Sequence, residues 1–200
     1  MRYEKGRKDA SRQRIMEVAT ERFRSDGIAA SGIAGIMGEA GLTNGAFYPH
    51  FPSKAALVRE SVAAALEAQA TQIQEAVAAG GLPMAIDAYL SAEHRDNPGH
   101  GCASAALLPE IAREPVETRQ VYAEHLLKLV RPVAAELTPD GRDPDSVAFG
   151  LFATLIGTLE LSRAVNGTEL SDRILAAGAV AAKSLLQPSG SDKPEERKPS

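Results

Sequence analysis

Gly41-Leu42-Thr43-Asn44-Gly45-Ala46-Phe47-Tyr48-Pro49-His50-Phe51-Pro52-Ser53-Lys54 is the stretch on which the reading of this 200-residue chain turns. A glycine followed within a few residues by a short helical run, then by two prolines, describes a chain that stops, redirects and stops again. Helical spacing sends Phe47 inward and leaves Thr43, Asn44, Ala46, Tyr48 and His50 outside. Upstream, Ile15, Ala19 and Phe23 recur every fourth residue, which predicts a first helix over residues 9–25. Asp26-Gly27 ends it, and Ser31 is placed to cap a short second helix carrying Ile33, Ile36, Met37 and Ala40. The three segments together predict a helix-turn-helix whose last piece, residues 43–50, is free to enter the major groove of DNA.

The side chains of that piece suit the task. Thr43 and Tyr48 offer hydroxyls to phosphates, Asn44 can reach a base edge, and the Ala46 methyl can meet a thymine methyl. Lys54 opens the next helix, so a cation and a helix N-terminus are expected at the phosphate backbone together. Charge follows the same division. Residues 1–60 hold ten Lys and Arg against seven Asp and Glu, while the other 140 residues hold twelve against nineteen. A basic arm (Arg2, Lys5, Arg7, Lys8, Arg12 and Arg14) thus precedes an acidic body, either a polyanion-binding head or a solvated tail.

Composition narrows the class. Aromatic residues make up 4% and Trp is absent, which disfavours sandwiches and barrels and points to an all-α fold. One cysteine, Cys102, excludes an internal disulfide framework and suits a reducing compartment. Uncharged runs such as residues 146–159 hold 14 residues, short of the ~20 apolar residues a membrane span needs. The opening residues lack a secretory pattern, so a soluble cytoplasmic protein without a membrane partner is expected. Helical stretches follow at about 53–79, 83–94, 103–113, 115–137, 145–165 and 171–186, about nine helices in all, with Pro132 expected to kink the seventh. The domain expectation is 1–52 for a three-helix head and 53–186 for a helical body, with 53–79 as the connecting helix. Residues 187–200, rich in Pro, Ser and charge, read as a disordered tail.

Arg14-Ile15, Ala19, Phe23, Gly27, Ser31, Ile36, Ala40-Gly41-Leu42-Thr43, Gly45-Ala46-Phe47-Tyr48, His50-Phe51, Ser53-Lys54 and Leu57 resemble the TetR (tetracycline-repressor-like) family of bacterial transcriptional regulators. The motif covers residues 8–58, and the run from Gly45 to Lys54 is its most specific part. The resemblance implies an all-helical homodimer with an N-terminal DNA-binding domain and a C-terminal domain that dimerises and binds a small-molecule inducer. It implies phosphate contacts from Ser31, Thr43, Tyr48, His50 and Lys54, and base-facing positions at Asn44, Gly45 and Ala46. Two positions depart from the family pattern: Gly32 stands where Thr is usual, and Met37 where a small Ala is usual. Repression of a palindromic operator, relieved by an inducer, is the family's habit.

The body reads less sharply. The eighth helix, residues 145–165, is apolar nearly all round along 147–159, and the ninth is rich in Ala and Gly. Burying both predicts a two-fold dimer joined by a four-helix bundle. Met84, Tyr89, Leu107, Leu108, Tyr122, Leu126, Phe149 and Phe152 are candidate lining residues of a ligand pocket. Tyr89, Tyr122 and His125 would add its polar groups, Cys102 is a further lining candidate, and ordinary core packing is the competing reading for each. Cys102 lies near a helix start beside His94 and His100, which leaves a thiol- or metal-dependent sensor or enzyme as the alternative function. The spacing matches no zinc signature, and no phosphate-binding loop, G-x-S-x-G elbow or H-E-x-x-H pair occurs, so neither metal, cofactor nor catalysis is expected.

Overall fold

The computed structural model describes residues 2–137 and 141–188, and the described residues form helices and turns without a strand. The tail expected at 187–200 falls almost wholly outside the described residues. Helix α1 (Arg2–Asp26) turns Ile15, Val18, Ala19 and Phe23 inward and stops where Gly27 takes φ +88°. Helix α2 (Ile33–Glu39) buries Ile36 and Met37, so the longer methionine is absorbed by the core. Its N-cap is Gly32, without a side-chain bond, which corrects the expectation for Ser31. The Ser31 hydroxyl instead donates to the Gly27 carbonyl at 2.7 Å and the Arg22 carbonyl at 3.2 Å, binding the end of α1 to the connector.

Gly41, at φ +73°, ends α2 with two bonds: its N–H donates to Gly38 O at 3.1 Å and the Leu42 N–H to Met37 O at 2.8 Å. That pair of hydrogen bonds is a Schellman stop, and Leu42 supplies the apolar contact that accompanies it. The next segment is tighter than the expected α-helix. Asn44–Ala46 forms a single 3₁₀ turn after Thr43, followed by a turn through His50. Gly45 weakens helix here, and Pro49 has no N–H to continue the ladder.

Ser53 accepts the Ala56 N–H at 3.1 Å and starts helix α3 (Lys54–Tyr89). Gly81, at φ +74° and ψ 177°, leaves helical geometry, so α3 is two helical pieces meeting at a kink close to where the sequence ends the stretch 53–79. The stretch expected at 83–94 is divided between the end of α3 and helix α4 (Ala92–Asp96), which Ser91 caps. A 3₁₀ turn at Pro98–His100 leads to α5 (Ala103–Ile111), α6 (Val116–Ala135), α7 (Pro144–Ala164) and α8 (Glu169–Leu185). Helix α6 runs past Pro132 to its end at Ala135.

Helix α7 lies against α6 and α8 and buries Ala148, Leu151, Phe152, Leu155 and Leu159. Its 21 residues are long and apolar enough, by length and composition alone, to cross a membrane, although its uncharged run is short of that length. One face is nonetheless spent on the helical core. Helix α8 approaches α7 closely at Gly178, where any Cβ would collide with Thr158.

Candidate functional site

Two regions gather chemistry. The first is the surface around the 3₁₀ turn. Phe47 and Phe51 are fully buried, their ring centroids 5.7 Å apart, and they hold the turn against α1 and α2. With Phe47 inside, Thr43, Asn44, Gly45 and Tyr48 are exposed, Tyr48 at 66%, while Ala46 and His50 are half-buried. The arm of α1 stands beside them. The Arg12 guanidinium lies 4.6 Å from the centre of the Phe51 ring and pairs with Glu60. Burial, then the positive charges of Lys8 and Arg12, hold His50 below the ordinary imidazole range. Proximity of Lys8 and Arg12 to His50 joins the basic arm to the turn, which residue spacing alone does not reveal.

Two of the sequence-predicted positions face inward. Ser31 is fully buried and its hydroxyl is spent on two carbonyls, so it is not presented to a phosphate as the family pattern implies. Lys54 is half-buried and its Nζ donates to the Ile28 carbonyl, which ties α3 to the connector between α1 and α2. The same connector is gripped from the other side by Glu110 of α5, which accepts the Ile28 and Ala29 N–H groups.

The second region is a cavity of about 200 Å³ in the crook of α3, where the helix bends at Gly81. Gln69, Gln72, Ile73 and Ala76 line it from before the bend, and Ala85, Ala88 and Tyr89 from after it. His94, His100, Gly101 and Cys102 close its remaining side. The loop that carries them is fastened by Arg163, which donates to the carbonyls of His94 and Arg95 at 3.0 Å each, and by the Arg95–Asp172 ion pair at 2.6 Å. Arg24 of α1 reaches the same loop and donates to Gly101 O at 3.2 Å.

Inside, Cys102 caps α5, its Sγ accepting the Ala105 N–H at 3.4 Å and contacting Gln69 Nε2 at 3.1 Å. The other amide atom of Gln69, Oε1, is buried without a partner, and so is the Tyr89 hydroxyl. Burial pushes the Tyr89 phenol well above its ordinary range, with nearby Cys102 adding to the rise. His94 Nδ1 is 2.6 Å from Tyr89 O, and its Nε2 accepts the Cys102 N–H at 3.0 Å. That pairing fixes a neutral ring with its proton on Nδ1, and burial lowers its pKa to match. Both ring nitrogens are thereby occupied, so His94 acts on the cysteine's backbone and not on its sulfur.

The cavity collects only Tyr89 and Cys102 of the predicted lining residues. Met84 and Phe149 stand on the surface, 55% and 41% exposed, because each lies on the outer face of its helix. Leu107 and Phe152 are core residues. Tyr122 donates to Ser104 Oγ at 3.0 Å, and His125 sits 3.1 Å from Glu67 Oε1. Gln69 was missed, although its place held a signal: it continues the buried stripe of Val58, Val62, Ala65 and Leu66 on α3, and a polar residue on such a stripe needs a reason. A larger groove of about 670 Å³ between α1 and α3 is open and lined by Arg12, Glu17, Glu21, Arg24, Glu60 and Glu67, so its charges face solvent. Among the described residues no group of three His, Cys, Asp or Glu side chains is placed to hold a metal ion.

Comparison with known proteins follows the same division. The family model for bacterial regulatory proteins of the tetR family matches residues 15–61. No curated protein matches the chain. Among solved structures, reduced NemR from E. coli superposes with a TM-score of 0.75 at 16% identity, covering 90% of this chain and 98% of that one. A TetR-family regulator from Cytophaga hutchinsonii gives 0.73 at 20% identity, covering 89% and 96%. FadR from Bacillus subtilis, solved in complex with stearoyl-CoA, gives 0.67 at 15% identity, covering 89% and 99%. At these identities the likeness is one of fold, and it extends over the whole helical body.

Proposed function

From residues 15–61, which belong to the tetR family of bacterial regulatory proteins, we propose that this protein is a dimeric DNA-binding transcriptional repressor that releases a palindromic operator when a small molecule binds its body. One observation carries the reading: the turn at residues 43–48 is anchored by a wholly buried Phe47 and turns Thr43, Asn44, Gly45 and Tyr48 to solvent beside Lys8 and Arg12. A duplex groove is the partner that such a narrow, polar, cation-flanked projection fits. The head is residues 1–52, the body 53–186, and the work is regulatory and cytoplasmic, not catalytic.

The dimer has a surface to use. Phe149, Ala153, Gly157 and Leu161 lie four residues apart on the outer face of α7, and Leu170 and Val180 are exposed on α8. Two copies joined by these faces form a four-helix bundle and set two reading turns about 34–36 Å apart, or a multiple of it. FadR's acyl-CoA complex supports a ligand-binding body in this fold.

Selection of bound sequences from a random DNA pool tests the proposal. A palindrome should emerge, and its affinity should fall about a thousandfold between 50 and 200 mM salt for about six phosphate contacts. Leu161→Arg should convert the protein to monomers in sedimentation and abolish operator binding. No enriched sequence, or affinity indifferent to salt, would remove the reading.

A further inference from the structure

The crook of α3 has a composition unlike the rest of the surface. None of its lining residues is Asp, Glu, Lys or Arg, whereas the α1–α3 groove is lined by both signs. Arg24 and Arg163 reach the loop behind it but donate to the carbonyls of Gly101, His94 and Arg95. A charged ligand therefore finds no acidic or basic side chain in the lining to pair with, and loses hydration without full compensation. Its volume of about 200 Å³ also sets the scale. An apolar cavity of ~150 Å³ takes up benzene, so about one ring with a small substituent fits.

Polarity inside the cavity is specific. Gln69 is only 8% exposed, and whichever way its amide is turned, one polar atom meets Cys102 Sγ and the other is left unsatisfied. Tyr89 brings a hydroxyl that lies beside the Cys102 sulfur and has no oxygen or nitrogen partner. The aliphatic remainder comes from Ile73, Ala85 and Ala88. Buried polar groups without partners cost about 1–3 kcal/mol each, and a ligand that pairs with both recovers that energy on binding.

We propose that this cavity is the receptor site for an uncharged, single-ring molecule bearing one hydroxyl or carboxamide, held by Gln69 and Tyr89. A hydroxyl or carboxamide supplies a donor and an acceptor from one small group, matching an amide oxygen and a phenol that lie in the same cavity. The ligand class deepens the regulatory reading and rests on it only for its consequence at DNA, not for binding itself. A bulky carrier such as acyl-CoA is larger than the about 200 Å³ available here.

Isothermal titration of the full chain with two matched pairs tests it: benzamide against benzoate, and benzyl alcohol against benzylammonium. The neutral member of each pair should bind at least tenfold more tightly. Gln69→Leu and Tyr89→Phe should each weaken the neutral probes about two- to tenfold. Tyr89→Phe removes a single oxygen and keeps the fold testable if Gln69→Leu does not fold. Ala85→Phe, which fills the cavity, should remove binding. Equal affinity for charged and neutral members, no heat from any probe, or unchanged affinity in Tyr89→Phe would overturn the assignment. Operator binding by the unliganded variants is measured separately, so a failed ligand class is distinguished from a failed DNA reading.

Discussion

Glu110 closes on Ile28: one carboxylate oxygen accepts the Ile28 N–H at 3.0 Å, and the other takes the neighbouring Ala29 N–H at 2.9 Å. Both amides follow the last turn of α1, where no helix carbonyl serves them. Glu110 belongs to α5, whose other end is capped by Cys102, so one short helix touches both the cavity and the base of the reading head.

Removing that grip has a local signature. Glu110→Ala leaves a buried N–H unpaired at Ile28, and the expected loss is about 2 kcal/mol, or roughly 4–8 °C in melting temperature for a chain of this size. Hydrogen exchange should quicken at Ile28 and Ala29 before any amide within α1. Glu110→Gln, which keeps one acceptor oxygen, should lose about half as much. Unchanged exchange at both amides would show that the carboxylate is dispensable.

Lys54 and Tyr48 separate two ways of losing DNA affinity. Lys54 donates to the Ile28 carbonyl, so Lys54→Met should lower the melting temperature by about 2–4 °C as well as weakening every DNA sequence alike. Tyr48 is 66% exposed, and Tyr48→Phe should weaken DNA binding with no thermal change. Asn44→Ala, at an exposed base-facing position, should instead change which sequence is selected.

Acid acts through His94. Burial depresses its folded pKa below the unfolded value of ~6.5, so the unfolded chain takes up a proton that the folded chain resists. Stability is therefore complete above pH ~6.5 and declines as pH falls through the unfolded and then the folded value. His50, shifted the same way, adds in the same direction. Melting curves between pH 7.5 and 5.5 should show the decline, and His94→Gln should flatten it. A steeper decline in the variant would contradict the sign.

Gly178 sets two known effects against each other. Alanine is favoured over glycine in a helix by about 1 kcal/mol, but a Cβ at 178 collides with the methyl, hydroxyl and Cβ of the buried Thr158. Overpacking of that kind costs ~1–3 kcal/mol, so Gly178→Ala should destabilise on balance. Gly32→Ala, with nothing within 4 Å and an extended N-cap backbone, is the control and should change melting little.

The head was more legible in the sequence than the cavity. Ile15, Ala19, Phe23 and Phe47 declare their faces by period, and Gly41 and Gly27 declare their turns by type, because local chain geometry decides both. Ser31 misled, since a hydroxyl after a turn caps the following helix as readily as it bonds back to carbonyls at 22 and 27, and only packing chooses. The cavity depends on where α3 bends and on which loop covers it. Met84 and Phe149 have the composition of lining residues but the wrong angular position. Gln69 has the right position and a side chain that composition alone passes over.

Gly81 has a final consequence. Two helical pieces of α3 meet there, and the proposed ligand site lies between them. A backbone torsion of +74° is comfortable for glycine and strained for any side chain. The gauge of the proposed receptor is therefore written into a single dihedral angle, like the gap of a calliper set by its screw. A substitution at that position would regauge the receptor without altering one atom of its walls.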